Sequence, residues 1–220
     1  MTVAEHQTEE QQVEAIKQWW KDNGLSVVAG LVIGFAALFG WNYWNDYRDE
    51  QAARASRIYQ QLMTNLQASN AAAVEQQANT LRSDFKRTPY AALAALAQAR
   101  LAVEAEDLDA AAAHLQWAVA NSRQDQLEHT ARLRLARMLI AADNSGAASA
   151  VLEKVKPGAY VAAYAEVEGD IAWAQGDHAA AREAYNRALV AAADDTQQSN
   201  VLKLKLDDIA AAPAMTTEEK

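Results

Sequence analysis

Four histidines, 29 acidic residues and no cysteine are what this 220-residue chain offers for building a reactive centre. A zinc site needs imidazole, thiolate or carboxylate ligands at short helical or loop spacings, with more converging from elsewhere. His6, His114, His129 and His178 stand far apart in the sequence, so each reads as a surface histidine. Glu166 and Asp170, four residues apart, share one helix face, but two carboxylates alone make a poor seat for a hard cation. Asp194 and Asp195 follow a helical stretch and read as solvating its end. No Gly-rich phosphate loop and no nucleophile elbow is present. Without cysteine, disulfide staples and thiolate metal sites are excluded as well. The expectation is a protein that is not an enzyme and that uses no cofactor, metal or small-molecule substrate.

What remains is noncovalent recognition. In the helical register set out below, Leu93, Leu96, Arg100, Val103, Arg132, Leu139, Glu166, Asp170 and Trp173 fall on the first helix of successive hairpins. If the array is of the repeat family that the period set out below resembles, those first helices would line a groove of alternating polar and apolar groups, able to hold an extended peptide or a partner helix. Trp173 and Arg100 are the strongest anchors, because large rigid or forked side chains dominate interface energy. The competing reading is that a fraction of the nine pack between neighbouring hairpins instead.

Those residues must be positioned by helices. From Asp49 onward the apolar residues follow a helical period, no strand pattern competes, and the few prolines and glycines sit mostly at joints. The pattern predicts helices over Asp49–Leu66, Ala71–Phe85, Pro89–Glu106, Leu108–Asn121, Gln124–Ala142, Gly146–Val155, Tyr160–Gln175, His178–Ala193 and Gln197–Ala211. Joints as short as those at 106–109, 143–145 and 176–178 force antiparallel hairpins. The second helices repeat one pattern: Ala111, Leu115, Ala118 and Val119; Ala147, Val151, Lys154 and Val155; Ala181, Tyr185, Ala188 and Leu189. Offsets of 36 and 34 residues with a hairpin in each unit resemble the tetratricopeptide repeat. The last copy is the clearest, with Gly169, Gly176, Ala181, Tyr185, Ala188 and Leu189 in place of that repeat's small and aromatic residues. It departs where Ala165, Glu168 and Ala172 replace the usual Trp, Leu and Tyr, and where Ala193 replaces Pro. A more degenerate unit carrying Val74, Ala78 and Leu81 would open the array, and the helix over Gln197–Ala211 would cap it.

Ahead of the array lies LSVVAGLVIGFAALFGWNYW, Leu25 to Trp44, with no charge between Asn23 and Asn45. A helix over that stretch would be ~35 Å long, enough for a hydrocarbon core of ~30 Å. Trp19 and Trp20 precede it, and Trp41, Tyr43, Trp44 and Tyr47 close it, which is where aromatic belts settle at headgroup depth. A secretory leader would be shorter and followed by small residues, whereas Phe39, Gly40, Trp41 and Asn42 suit a peptidase poorly. An uncleaved anchor is expected, preceded by a short interfacial helix over Thr8–Asn23 that carries Val13, Ile16 and Trp20 on one face. Ser26, Gly30 and Gly34 recur every fourth residue, which suits either close helix packing, including a homo-oligomer, or plain contact with lipid. Lys17 and Lys21 before the span against Arg48, Arg54 and Arg57 after it leave orientation undecided by charge.

One span leaves roughly 175 residues, an ordinary size for one domain. A net charge of -9 argues against nucleic acid, whose phosphates need a basic stripe. The fold class expected is all-α: a single transmembrane helix, then a tetratricopeptide-like α-solenoid of about four hairpins plus a capping helix. Its segments would be 1–22, a span at 23–45, the repeat domain at 46–211 and a disordered tail at 212–220.

The stretch QWWKDNG with the apolar run after it, Gln18 to Trp44, and the stretch Pro89 to Val119 resemble the YfgM family of bacterial inner-membrane proteins. The resemblance covers nearly the whole chain. It implies a cytoplasmic N-terminus, a periplasmic repeat domain, and an adaptor that accompanies the SecYEG translocon with the chaperone PpiD in handling exported proteins. The alternative, from other anchored helical-repeat proteins, is a scaffold for cell-envelope or cell-wall assembly.

Overall fold

The computed structural model describes residues 9–211, with side chains from residue 12 onward. His6, the first part of the expected 1–22 segment and the expected tail at 212–220 lie outside the described residues. The helices are α1 (Glu9–Gln67), α2 (Ala71–Asp84), α3 (Pro89–Glu104), α4 (Leu108–Asn121), α5 (Asp125–Ala141), α6 (Ser145–Leu152), α7 (Val161–Ala174), α8 (His178–Ala191) and α9 (Thr196–Ala211). A 3-10 turn, Gly158–Tyr160, leads into α7, and no strand occurs among the described residues. Two compact units divide the chain, one up to Gln51 and one from Ala52.

Three expected pieces are one helix, which begins in the first unit and ends in the second. The interfacial helix over Thr8–Asn23, the span and the helix expected from Asp49 run together as α1, 59 residues without a break. The switch from apolar to charged composition after Asn45 is not a helix stop, and neither Gly nor Pro occurs between residues 41 and 88. At Asn23–Gly24 the helix continues because the Asn23 amide donates to the Trp19 carbonyl at 3.0 Å and Gly24 sits under the Trp20 ring. Only 6% of the apolar window is buried, which distinguishes it from the core helix of a soluble protein. Leu25, Ile33 and Phe39 point outward, and so do all six belt aromatics, Trp19, Trp20, Trp41, Tyr43, Trp44 and Tyr47.

The second unit is held by alanine. Nineteen of its 31 buried hydrophobic residues are Ala, so helix axes come close and the large side chains act as occasional pegs between them. Ala55 and Leu62 of α1 are buried with Val74, Ala78 and Leu81 of α2 and Ala94 of α3. Further along, α3 packs on α4, α5 on α6 and α7 on α8, while α4 to α5, α6 to α7 and α8 to α9 join successive pairs. The expected register holds in α4, where Ala111, Leu115 and Ala118 are buried, and in α8, where Ala181, Tyr185 and Ala188 are. In α6 it fails: Ala148 rather than Ala147 is buried, and the helix stops at Leu152, so that Lys154 turns left-handed at φ 59° and Val155 packs on the core from beyond the helix.

Four joints share one construction. Ser69, Glu106, Asp143 and Gly176 each adopt positive φ, between 54° and 77°, after a helix ends. The next residue, Asn70, Asp107, Asn144 or Asp177, then caps the following helix by accepting from the backbone N–H three residues on, at 2.9–3.2 Å. Its own N–H bonds back across the joint to Asn65, Ala102, Leu139 or Ala172, which satisfies a carbonyl of the outgoing helix. One turn closes two helix ends, and it recurs after 37, 37 and 33 residues.

Candidate interaction surface

The nine residues expected to line a groove divide by what they touch. Leu96 is 8% exposed and sits in a cluster with Ala95, Ala99, Leu115, Ala118, Ala131 and Leu135, and Leu93 and Leu139 pack against the same cluster. These three join hairpins rather than facing a groove. The cause lies in α3, which is buried continuously from Ala94 to Ala99, so no single stripe of that helix is its interior. Arg132 is also turned inward. Its Nη1 donates to the Val151 carbonyl at 3.0 Å and its Nη2 to Glu128 at 2.6 Å, tying α5 to the last turn of α6.

Glu166 and Asp170 do share a face, and it is occupied from within the chain. Lys205 of α9 donates to Glu166 at 2.8 Å and to Asp170 at 2.6 Å. Asp170 also accepts from the Tyr185 hydroxyl at 2.7 Å, Gln198 reaches Glu166 at 3.4 Å, and Arg137 stands 3.8 Å from it. Burial pushes the Glu166 carboxyl upward, but Lys205, Arg137 and Gln198 together outweigh it and leave the group below its ordinary range. Burial first, and then the acceptor Asp170, push the Tyr185 hydroxyl far up, so it stays a donor. The pair therefore fastens α9 to α7. Two carboxylates on one face call for a cation, which the sequence supplied 35 and 39 residues later.

Arg100, Val103 and Trp173 remain at the surface. The Arg100 side chain is 65% exposed and held only by Glu104 on its own helix, and Val103 is 43% exposed one turn away. Trp173 is 38% exposed and stacks on His178, centroids 4.6 Å apart. This partner fixes the indole without covering it.

A second polar cluster centres on Gln98 of α3. Gln98, 1% exposed, accepts from Arg82 at 2.7 Å and donates to Glu75 at 2.7 Å and Asn79 at 3.2 Å. Arg82 also meets His114 Nδ1 at 3.1 Å and lies over the Trp117 ring at 4.4 Å. Burial, then the neighbouring guanidinium, hold His114 below its ordinary pKa. Only a polar residue amid the alanines of α3 hinted at it, since its partners lie 16 to 23 residues away.

In α1, Ser26, Gly30 and Gly34 are exposed, and a Cβ added at Gly30 or Gly34 would meet nothing within 4 Å. Comparison with known proteins gives the apolar helix and the repeat unit a family. A family model described as a tetratricopeptide repeat-like domain matches residues 17–211. A Haemophilus influenzae protein named ancillary SecYEG translocon subunit is 33% identical over 91% of this chain and 97% of its own length. Proteins of the same name from Aggregatibacter actinomycetemcomitans and Escherichia coli are 36% and 32% identical, each over 82% of this chain and 88% and 86% of their own lengths. No solved structure matches the chain significantly. With an apolar helix uncovered at the front and a tetratricopeptide-like unit behind it, this membrane-anchored chain belongs to the YfgM family, the family of ancillary SecYEG translocon subunits.

Proposed function

We propose that the chain is an adaptor anchored in the inner membrane by α1, with its N-terminus in the cytoplasm and its hairpins in the periplasm. There it accompanies the SecYEG translocon, as the name of its relatives states of them, and works with the chaperone PpiD on exported polypeptides. One observation carries the reading most directly: the apolar window of α1 is left 94% unburied while the hairpins behind it bury a complete core of their own. A chain with that division can be held by lipid at one end and still offer a folded surface at the other. Arg100, Val103 and Trp173 are the contact residues proposed on that surface. Ser26, Gly30 and Gly34 are proposed to seat a neighbouring helix within the bilayer.

Purification of the full chain in mild detergent tests the association; the expected result is recovery of translocon subunits, and their absence would remove the adaptor role. Protease treatment of intact and opened cells tests the side of the membrane. Cleavage of the hairpins only after the outer membrane is opened is expected, and a protected cytoplasmic domain would end any role with exported chains. Photocrosslinkers at Val103 and Trp173 should then capture nascent secretory chains or the chaperone. Capture of cell-wall assembly proteins alone would favour the scaffold instead.

A further inference from the structure

The chain carries a net charge of -9, yet three cations gather at one place and none of them is in an ion pair among the described residues. Lys86, Arg87 and Arg123 line a depression of about 400 Å³ together with Ala120, Asn121 and Ser122. Lys86 and Arg87 follow the end of α2 and Arg123 follows the end of α4, so two separate joints bring them together. Ion pairs elsewhere in the repeat unit engage Arg100, Arg132, Arg137, Arg187 and Lys205, and none of them involves these three. Of the nearest acids in sequence, Asp84 accepts from the Ser83 hydroxyl and Asp125 opens the first turn of α5, and neither is within ion-pair distance of the three.

A cation just past a helix C-terminus is favoured by the helix dipole, and that accounts for each of the three singly. It does not account for their convergence around a concavity, where like charges repel until an anion enters. Two guanidinium forks and an ammonium match planar carboxylates, which a fork can grip by two parallel hydrogen bonds. A bilayer surface would demand apolar side chains beside the cations to enter the headgroup layer. Between residues 85 and 123 the exposed large apolar residues number one, Val103, which lies on α3 outside the depression.

We propose that this depression binds the carboxylate side chains of an acidic polypeptide segment, with Lys86, Arg87 and Arg123 as the binding residues. Such binding goes beyond the adaptor role and does not require it, since it is read on the purified chain with no translocon present. The test is fluorescence anisotropy of a rhodamine-labelled hexaglutamate peptide added to the full chain in neutral detergent. Saturable binding is expected, weakening with added salt, and roughly tenfold weaker in the K86Q/R87Q/R123Q variant. A second variant, R134Q/R182Q/K203Q, removes the same number of exposed cations elsewhere and should bind like the parent. Equal binding by parent and first variant overturns the proposal, as does equal weakening in both variants, which would mean net charge alone is read. Displacement of the peptide by phosphatidylglycerol mixed micelles, but not by unlabelled hexaglutamate, would assign the cations to lipid and overturn it too. All three cations are exposed, so the first variant should melt with the parent.

Discussion

Glycine does opposite work in the two units of the chain. In the repeat unit, a Cβ at Gly169 would collide with the ring of Tyr185, which is 3% exposed and has nowhere to withdraw. In the apolar stretch of α1, a Cβ at Gly30 or Gly34 would meet nothing at all. One small residue is a space already filled from inside the chain; the others are spaces left open among the described residues, which on the proposed function lipid or another helix would fill. The hairpins bury Gly169, and the front helix leaves Gly30 and Gly34 uncovered.

Substitution at those positions is the sharpest way to break the contrast. Gly169→Ala should lose about 3 kcal/mol, because overpacking against a buried ring has no outlet, and Tyr185→Leu in that background should recover part of it in thermal unfolding followed by circular dichroism. Lys205→Met removes the lysine bonded to both Glu166 and Asp170 and should lose about 1–2 kcal/mol, discounted for partial exposure. The same contact has an acid signature. Glu166 is held below its ordinary pKa, so the stability it supplies is complete above about pH 4.5 and drains away as pH falls through its folded value; melting temperature against pH should show this in the parent and much less in Lys205→Met. Asp107→Ala, which loses the cap of α4, should lose about 1 kcal/mol. Smallest of all, Gly30→Leu and Gly34→Leu should leave hairpin melting within about 0.5 kcal/mol of the parent. If those two changes also leave self-association in bilayers untouched, as read by energy transfer between labelled chains, the face is in contact with lipid alone.

Much of the fold was legible because helices with short joints leave a strong period. The period predicts Leu108–Asn121 to the residue, and the buried positions of α4, and those of α8 apart from Ala184, are positions of the repeat register. The unbroken α1 was not legible, since polar residues after Asn45 look like a boundary although nothing there interrupts backbone hydrogen bonding. The candidate surface was only partly legible for a different reason. Helical period tells which side of a helix is polar when one side is buried, but α3 is walled by α2, α4 and α5. Leu96 therefore turned inward when its spacing pointed to a groove. Glu166 and Asp170 were correctly paired on one face, and what sequence spacing could not supply was Lys205, because α9 returns to them only through the tertiary fold.

The repeated joint has a practical side. Of the four residues that turn left-handed there, three are Ser69, Glu106 and Asp143, and L side chains adopt that geometry at a penalty glycine escapes. Each exchanged for Gly should toughen the protein by about 0.5–1 kcal/mol. The three joints share no hydrogen-bond partner, so the gains should accumulate. A sturdier version for crystallisation is therefore reachable through three surface positions, with the core and every face considered for binding left as they are.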